Sequence, residues 1–192
     1  LERTQEILYL LRQMSKDDLL SNIPVFLDSP LAINVTRAFT QYPKLFKEEI
    51  QKILKSNNNP FAFKELRTCY TKEESIAINN IEGPKIIIAG SGMCEGGRIP
   101  YHLTRYIIDE KNMILFIGYQ VKGTLGREIL EGKKELIMGY QDINVRANIS
   151  YIDGFSAHAD QRRQNQLGQT AEHGPLWASG LPDRCGSSPA PA

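Results

Sequence analysis

Two stretches of this chain combine residue types and spacings that could do chemistry. Phe155-Ser156-Ala157-His158-Ala159-Asp160 sets a hydroxyl, an imidazole and a carboxylate side by side. An imidazole can protonate a leaving oxygen near neutral pH, so His158 is the leading catalytic candidate. Taken alone, the spacing fits equally a His–Asp pair capping the next helix, and that is the commoner outcome. The second stretch, Ala89-Gly90-Ser91-Gly92-Met93-Cys94-Glu95-Gly96-Gly97-Arg98, is glycine-dense and lies between a strand pattern and a helix pattern. Backbone N–H groups at such a junction suit an anion, while the glycines serve a tight turn and close packing just as well.

Nucleotide chemistry fits this loop poorly. Gly92 to Gly97 has the G-x-x-x-x-G spacing of a P-loop, but Arg98-Ile99 follow where Lys and Ser/Thr are needed. A dinucleotide fingerprint lacks glycine at position 95, and the next strand ends in Gly118-Tyr119-Gln120 without an acid for the ribose. A nucleotide-binding α/β module therefore stays only as an alternative. With three histidines and no H-x-H-x-D-H, the sequence offers no set of ligands for a hydrolytic zinc pair. His102, inside a helix pattern, reads as a surface or half-buried structural residue. Asp28 has no obvious partner and reads as a turn or cap residue. Gly123-Thr124-Leu125-Gly126-Arg127 is a further loop-to-helix junction whose arginine could meet phosphate, although a solvated, salt-bridging arginine is the commoner case.

The elements that must position these loops follow from periodicity. Ile7, Leu8, Leu10 and Leu11 place an apolar stripe on a helix beginning near Thr4. Pro24 to Leu27 reads as a buried strand, and Ser29-Pro30 as the N-cap and first residue of a helix to about Phe39. Phe46, Ile50, Ile53 and Leu54 repeat at helical spacing, and Asn57 to Pro60 ends that helix. Leu66 to Cys69 reads as a strand, and Thr71-Lys72-Glu73-Glu74 is a capping box opening a helix through Ile78. Lys85 to Ala89 and Met113 to Ile117 are continuous apolar runs suited to strands covered on both faces, with a helix over Arg98 to Ile108 between them. Asn144 to Ile152 is a further extended stretch. The alternation predicts a three-layer α/β/α fold with a mainly parallel sheet, whose ligand-binding loops lie at the carboxyl ends of the strands.

Composition bounds the remaining choices. Of 192 residues, 41% are apolar and 23% charged, enough for one sizeable core. A formal net charge of +1 with no basic stripe gives no electrostatic argument for nucleic acid. Cys69, Cys94 and Cys185 stand far apart, which predicts a reduced, cytoplasmic protein. The apolar runs are far shorter than the roughly 20 residues that span a bilayer, so no membrane association is expected. Past Asp160 the chain changes character: residues 161–192 contain no Ile, Val or Lys and are rich in Gly, Pro, Ser, Ala and Arg. The body is therefore assigned to residues 1–160, and residues 161–192 to a tail that is disordered or stems from a frameshift or chimeric junction.

Taken together the blocks resemble a known family. Arg3-Thr4-Gln5-Glu6-Ile7-Leu8, Pro24 to Ala32 (PVFLDSPLA), Gly90 to Arg98 (GSGMCEGGR), Gly118-Tyr119-Gln120 with Gly123-Thr124-Leu125-Gly126, and Gly154 to Asp160 follow one another as in β-CASP proteins. These resemble bacterial and archaeal relatives of the endonuclease subunit of the cleavage and polyadenylation factor. The resemblance implies a two-domain, zinc-dependent ribonuclease, in which a metallo-β-lactamase domain holds two zinc ions and the β-CASP domain covers it. Single-stranded RNA would pass between them. The family's motif B falls on His158, implying a general acid or a contact to the scissile phosphate, with Ser156 close by. Ser91, Gly92 and Arg98 of the glycine-rich block are the other residues expected to meet RNA.

Motif A, motif C and the zinc ligands of the family have no counterpart in this sequence. The expectation is a truncated β-CASP domain, inactive alone, whose partners are RNA, the absent metallo-β-lactamase domain and a second copy in a homodimer. A catalytically dead RNA-processing scaffold is the alternative for the parent protein.

Overall fold

Ser29 and Pro30 show how directly local chemistry sets this fold. In the computed structural model, which describes residues 2–42, 44, 46, 48–56 and 58–152, the Ser29 hydroxyl accepts from the Ala32 N–H at 3.3 Å. Pro30 then opens a helix in which its missing N–H costs nothing. The expected loop Gly154 to Asp160 and the tail 161–192 lie outside the described residues.

The elements in order are α1 (Glu2–Lys16), β1 (Val25–Asp28), α2 (Pro30–Thr40), α3 (Glu48–Lys55), β2 (Leu66–Thr68) and α4 (Lys72–Ala77), the last extended by a 3-10 turn, Ile78–Asn80. There follow β3 (Ile86–Ala89), α5 (Ile99–Tyr106), β4 (Met113–Ile117), α6 (Leu125–Leu130), β5 (Glu135–Met138), β6 (Gln141–Asn144) and β7 (Asn148–Ile152). Helix α4 begins with the expected capping box. The Thr71 hydroxyl accepts from the Glu74 N–H at 3.1 Å, and the Glu74 carboxylate accepts from the N–H of Thr71 at 2.9 Å and of Tyr70 at 2.6 Å. These bonds to the charged form hold the Glu74 carboxyl below its ordinary value.

Strands β2, β1 and β3 form a parallel sheet in that order, and β4 and β7 form a parallel pair. Alternation along β1 sends its residues into two layers. Val25 and Leu27 pack under α1 and α2 against Ile7, Leu8, Leu11 and Ile33, while Phe26 packs on the other face with Cys69, Ile78 and Ile87. Helices on both faces make this an α/β fold with a mainly parallel sheet, as expected. Leu8 and Leu27 are completely buried, each contributing about 1.5–3 kcal/mol relative to exposure.

Two expectations need correction. Strand β4 is not covered on both faces: Phe116 and Ile114 point into a core shared with Leu103, Ile107 and Ile129, whereas Met113 is 65% and Leu115 42% exposed. The continuous apolar run concealed a one-sided strand. The chain also makes an antiparallel hairpin, β5–β6, across Gly139 and Tyr140. Leu136 and Met138 face inward, but outward-facing Ile137 masks the period-2 alternation in the sequence.

Among the described residues no helix is long and apolar enough to cross a membrane.

Candidate functional site

The glycine-rich loop after β3 is folded on itself. The Ser91 N–H donates to the Gly96 carbonyl at 2.8 Å, and the Gly96 N–H donates to the Ser91 hydroxyl at 3.2 Å. Both Arg98 and Ile99 donate their N–H groups to the Gly90 carbonyl, at 2.9 and 3.0 Å. The amides of Gly92, Met93, Glu95 and Gly97 have no such partner among the described residues. The loop thus exposes Ser91 and Gly92 on a rigid turn. Gly97 has a left-handed φ of +70°, and a Cβ there would lie 2.3 Å from the Gly90 carbonyl oxygen. Gly97→Ala is therefore expected to cost roughly 2 kcal/mol or more, from the left-handed backbone plus the clash. Urea unfolding checks this, and an unchanged midpoint would refute the strained-turn account.

Beneath the loop lies a charged cluster that sequence reasoning missed. Asp28, at the carboxyl end of β1, is fully buried. It forms an ion pair with Arg98 through Oδ1, while Oδ2 meets His102 Nε2 at 2.7 Å and accepts from the Ser75 hydroxyl at 2.6 Å. Arg98 also donates through Nη1 to the Cys69 carbonyl at 3.0 Å and through Nη2 to that of Tyr70 at 2.6 Å. Burial pushes the Asp28 carboxyl up, but the hydrogen bonds from Ser75, His102 and Arg98, together with the arginine's charge, outweigh it and hold the carboxyl below its ordinary value.

This geometry corrects two readings. Asp28 is no turn or cap residue, since Ser29 caps α2. His102 is structural as expected, but it is buried rather than on or near the surface, with its ring stacked on Tyr106 at 6.3 Å between centroids. The Arg98 side chain bonds inward, which ties the loop's last residue to the ends of two strands, β1 and β2. The signal was present in the sequence: Arg98 and His102 are four residues apart at a helix start, on one face, and a buried strand-end carboxylate requires a cation.

A second loop, after β4, is built against the first. Gly118 has φ +90°, and the Arg3 guanidinium packs so closely that a Cβ there would lie 2.7 Å from its Cζ. Buried Gln120 donates to the Gly118 carbonyl at 3.2 Å. The Gly126 N–H donates to the Met93 carbonyl at 3.1 Å, and the Val121 N–H lies 3.3 Å from the Met93 sulfur, so the two loops are clasped together. Thr124 caps α6, and Arg127 forms a solvated i,i+4 salt bridge with Glu131 at 2.7 Å, the commoner case anticipated for it. The chain leaves β7 next to this loop, because the Gly118 N–H donates to the Ile152 carbonyl at 3.2 Å. Ser156 and His158, farther along, lie outside the described residues.

The described residues do not suit zinc. No three His, Cys, Asp or Glu side chains among them converge. Both Asp28 oxygens are occupied by Arg98, Ser75 and His102. Burial pushes the Cys69 and Cys94 thiols up to about 11, so neither offers a thiolate near neutral pH.

Two family models match the sequence: a Beta-Casp domain over residues 4–129, and a Zn-dependent metallo-hydrolase RNA specificity domain over residues 142–169. Ribonuclease TTHA0252 of Thermus thermophilus is 38% identical over 160 residues, which is 83% of this chain and 37% of that protein. Transcription termination factor FttA of Methanocaldococcus jannaschii is 34% identical over 167 residues, 84% of this chain and 26% of the relative. An RNase J-like protein from the same organism is 34% identical over 158 residues, 82% and 35% respectively. The chain therefore spans well under half the length of these relatives. With its glycine-rich turn, its strand-end loops and a matching family model across most of its length, the chain belongs to the Beta-Casp family.

Proposed function

We propose that this chain is the RNA-specificity part of a zinc-dependent ribonuclease, that it binds single-stranded RNA, and that it cleaves none by itself. The observation that supports this most is the second family match, whose description pairs a Zn-dependent metallo-hydrolase with RNA specificity and whose residues 142–169 include Ser156 and His158. The names of the ribonuclease and termination-factor relatives point the same way.

In this reading His158 gives a proton to the leaving ribose oxygen and Ser156 holds a phosphate oxygen. Ser91 and Gly92 meet the RNA backbone from the rigid turn. Arg98 contributes by fixing that turn rather than by reaching out, given its three inward acceptors. Zinc would be held by residues that this chain does not contain. The metallo-β-lactamase domain is the proposed partner, a second copy is a further one, and the setting is the cytoplasm. The division into a body over 1–160 and a tail over 161–192 is part of the same proposal, with the second family match running past that boundary to residue 169.

Titration of the chain with labelled single-stranded RNA and with labelled nucleotide separates this from a nucleotide-binding module. RNA is expected to bind and mononucleotide not, with no RNA cleaved and no stoichiometric zinc by metal analysis. Tight nucleotide binding without RNA binding would overturn the reading, and two tightly held zinc ions per chain would overturn the inactive-fragment claim.

A further inference from the structure

We propose that Tyr119, Lys122, Arg127 and Tyr151 form a stacking platform for single-stranded RNA, beside the glycine-rich loop and separate from it. The inference rests on the RNA-binding reading above and names a part of the surface that would carry it.

Strand pairing places the two tyrosines at neighbouring strand ends. Tyr151 is in register with Phe116 on β4, and the Gly118 to Ile152 hydrogen bond joins the residues that adjoin Tyr151 and Tyr119. Tyr119 is 51% and Tyr151 38% exposed, so each presents part of a ring to solvent. Helix α6, which carries Arg127, packs on β7, which carries Tyr151, and so brings the guanidinium to the same corner. Lys122, exposed, stands in the turn between Tyr119 and Arg127. The Arg127–Glu131 bridge uses Nε and leaves the outer edge of the guanidinium plane pointing away from that bond.

Two exposed aromatic rings with two cations between and beside them match the chemistry of an unpaired strand: π-faces for bases, positive charge for the phosphates joining them. A duplex offers no free base faces. The turn that carries Tyr119 is held by Arg3, Gln120 and Met93, so the backbone bearing the ring is fixed before a ligand arrives.

The test uses the full chain and a short single-stranded RNA carrying 5-iodouridine, with binding followed by fluorescence anisotropy and photo-adducts mapped by mass spectrometry. Adducts are expected on Tyr119 or Tyr151. Tyr119→Ala is expected to weaken single-strand binding roughly 5- to 100-fold, as loss of one stacked base implies, while Tyr119→Phe, which keeps the ring, should stay within about twofold. Arg127→Gln should weaken binding and lower the salt slope by about one. A blunt RNA duplex should be indifferent to Tyr119. Adducts confined to Tyr42, Tyr101 or Tyr140, or a Tyr119→Ala protein that binds normally, would overturn the platform and spare the RNA-binding reading. Failure of the wild-type chain to bind the RNA at low salt would overturn both. Mapping on the wild-type chain keeps the proposal decidable even if a variant does not fold.

Discussion

Asp28→Ala is expected to lower the thermal midpoint of this chain by roughly 6–12 °C. The carboxylate is fully buried and is the shared acceptor for Arg98, His102 and Ser75. Removing one partner of a buried pair leaves the other uncompensated, typically costing ~3–5 kcal/mol. The Arg98 side chain remains 19% exposed, so water can relieve part of the loss and the lower end, about 3 kcal/mol, applies. For a chain of this size each kcal/mol moves the midpoint by about 2–4 °C.

The pH dependence carries a defined sign. The folded-state carboxyl sits below its ordinary value of 3.8. Its contribution is therefore present in full above that value and is lost as pH falls through the lower, folded-state value. The gap between wild type and Asp28→Asn should be constant near neutral pH and close only in acid below about pH 4. A gap that changed between pH 6 and 8 would assign the coupling to another group. Asp28→Ala within about 1 kcal/mol of wild type by urea unfolding would remove the cluster's structural role.

His158→Ala in the full-length protein is expected to reduce turnover by roughly 100-fold or more, the usual worth of a positioned general acid. Zinc content should not change, since the proposed ligands lie outside this chain. A general acid must be protonated to act, so the wild-type rate should fall at high pH, and the variant should lose that limb. Unchanged turnover would remove His158 from the proposed chemistry.

The legible parts of this structure are those whose causes lie within a few residues. Ser29-Pro30 and Thr71 to Glu74 announce helix starts because a hydroxyl or carboxylate reaches backbone only three positions away. The Asp28 cluster was not legible in the same way: its bonds to Arg98 and His102 join residues 70 and 74 positions apart, and only the parallel register of β1 with β3 brings them together. The exposed half of β4 was hidden for a related reason, because continuous apolar residues do not say which face finds a cover. Of the candidate site, the glycine-rich block was recognised and its burial pattern was not. Arg98 carries the side chain expected at an RNA surface, and the acceptors it meets lie beneath the loop.

Cys94 gives the glycine-rich turn a property of its own. It lies in the middle of the loop with a left-handed φ of 64°, yet its side chain is buried in the core formed by Leu103, Ile107 and Phe116. The turn is thus pinned to the core beneath it by this buried side chain. It cannot swing as a flap without exposing that side chain, so local opening there carries the cost of unburying Cys94. Ser91 and Gly92 then meet a ligand as a fixed edge, and their selectivity comes from fit to that edge rather than from closure around whatever binds.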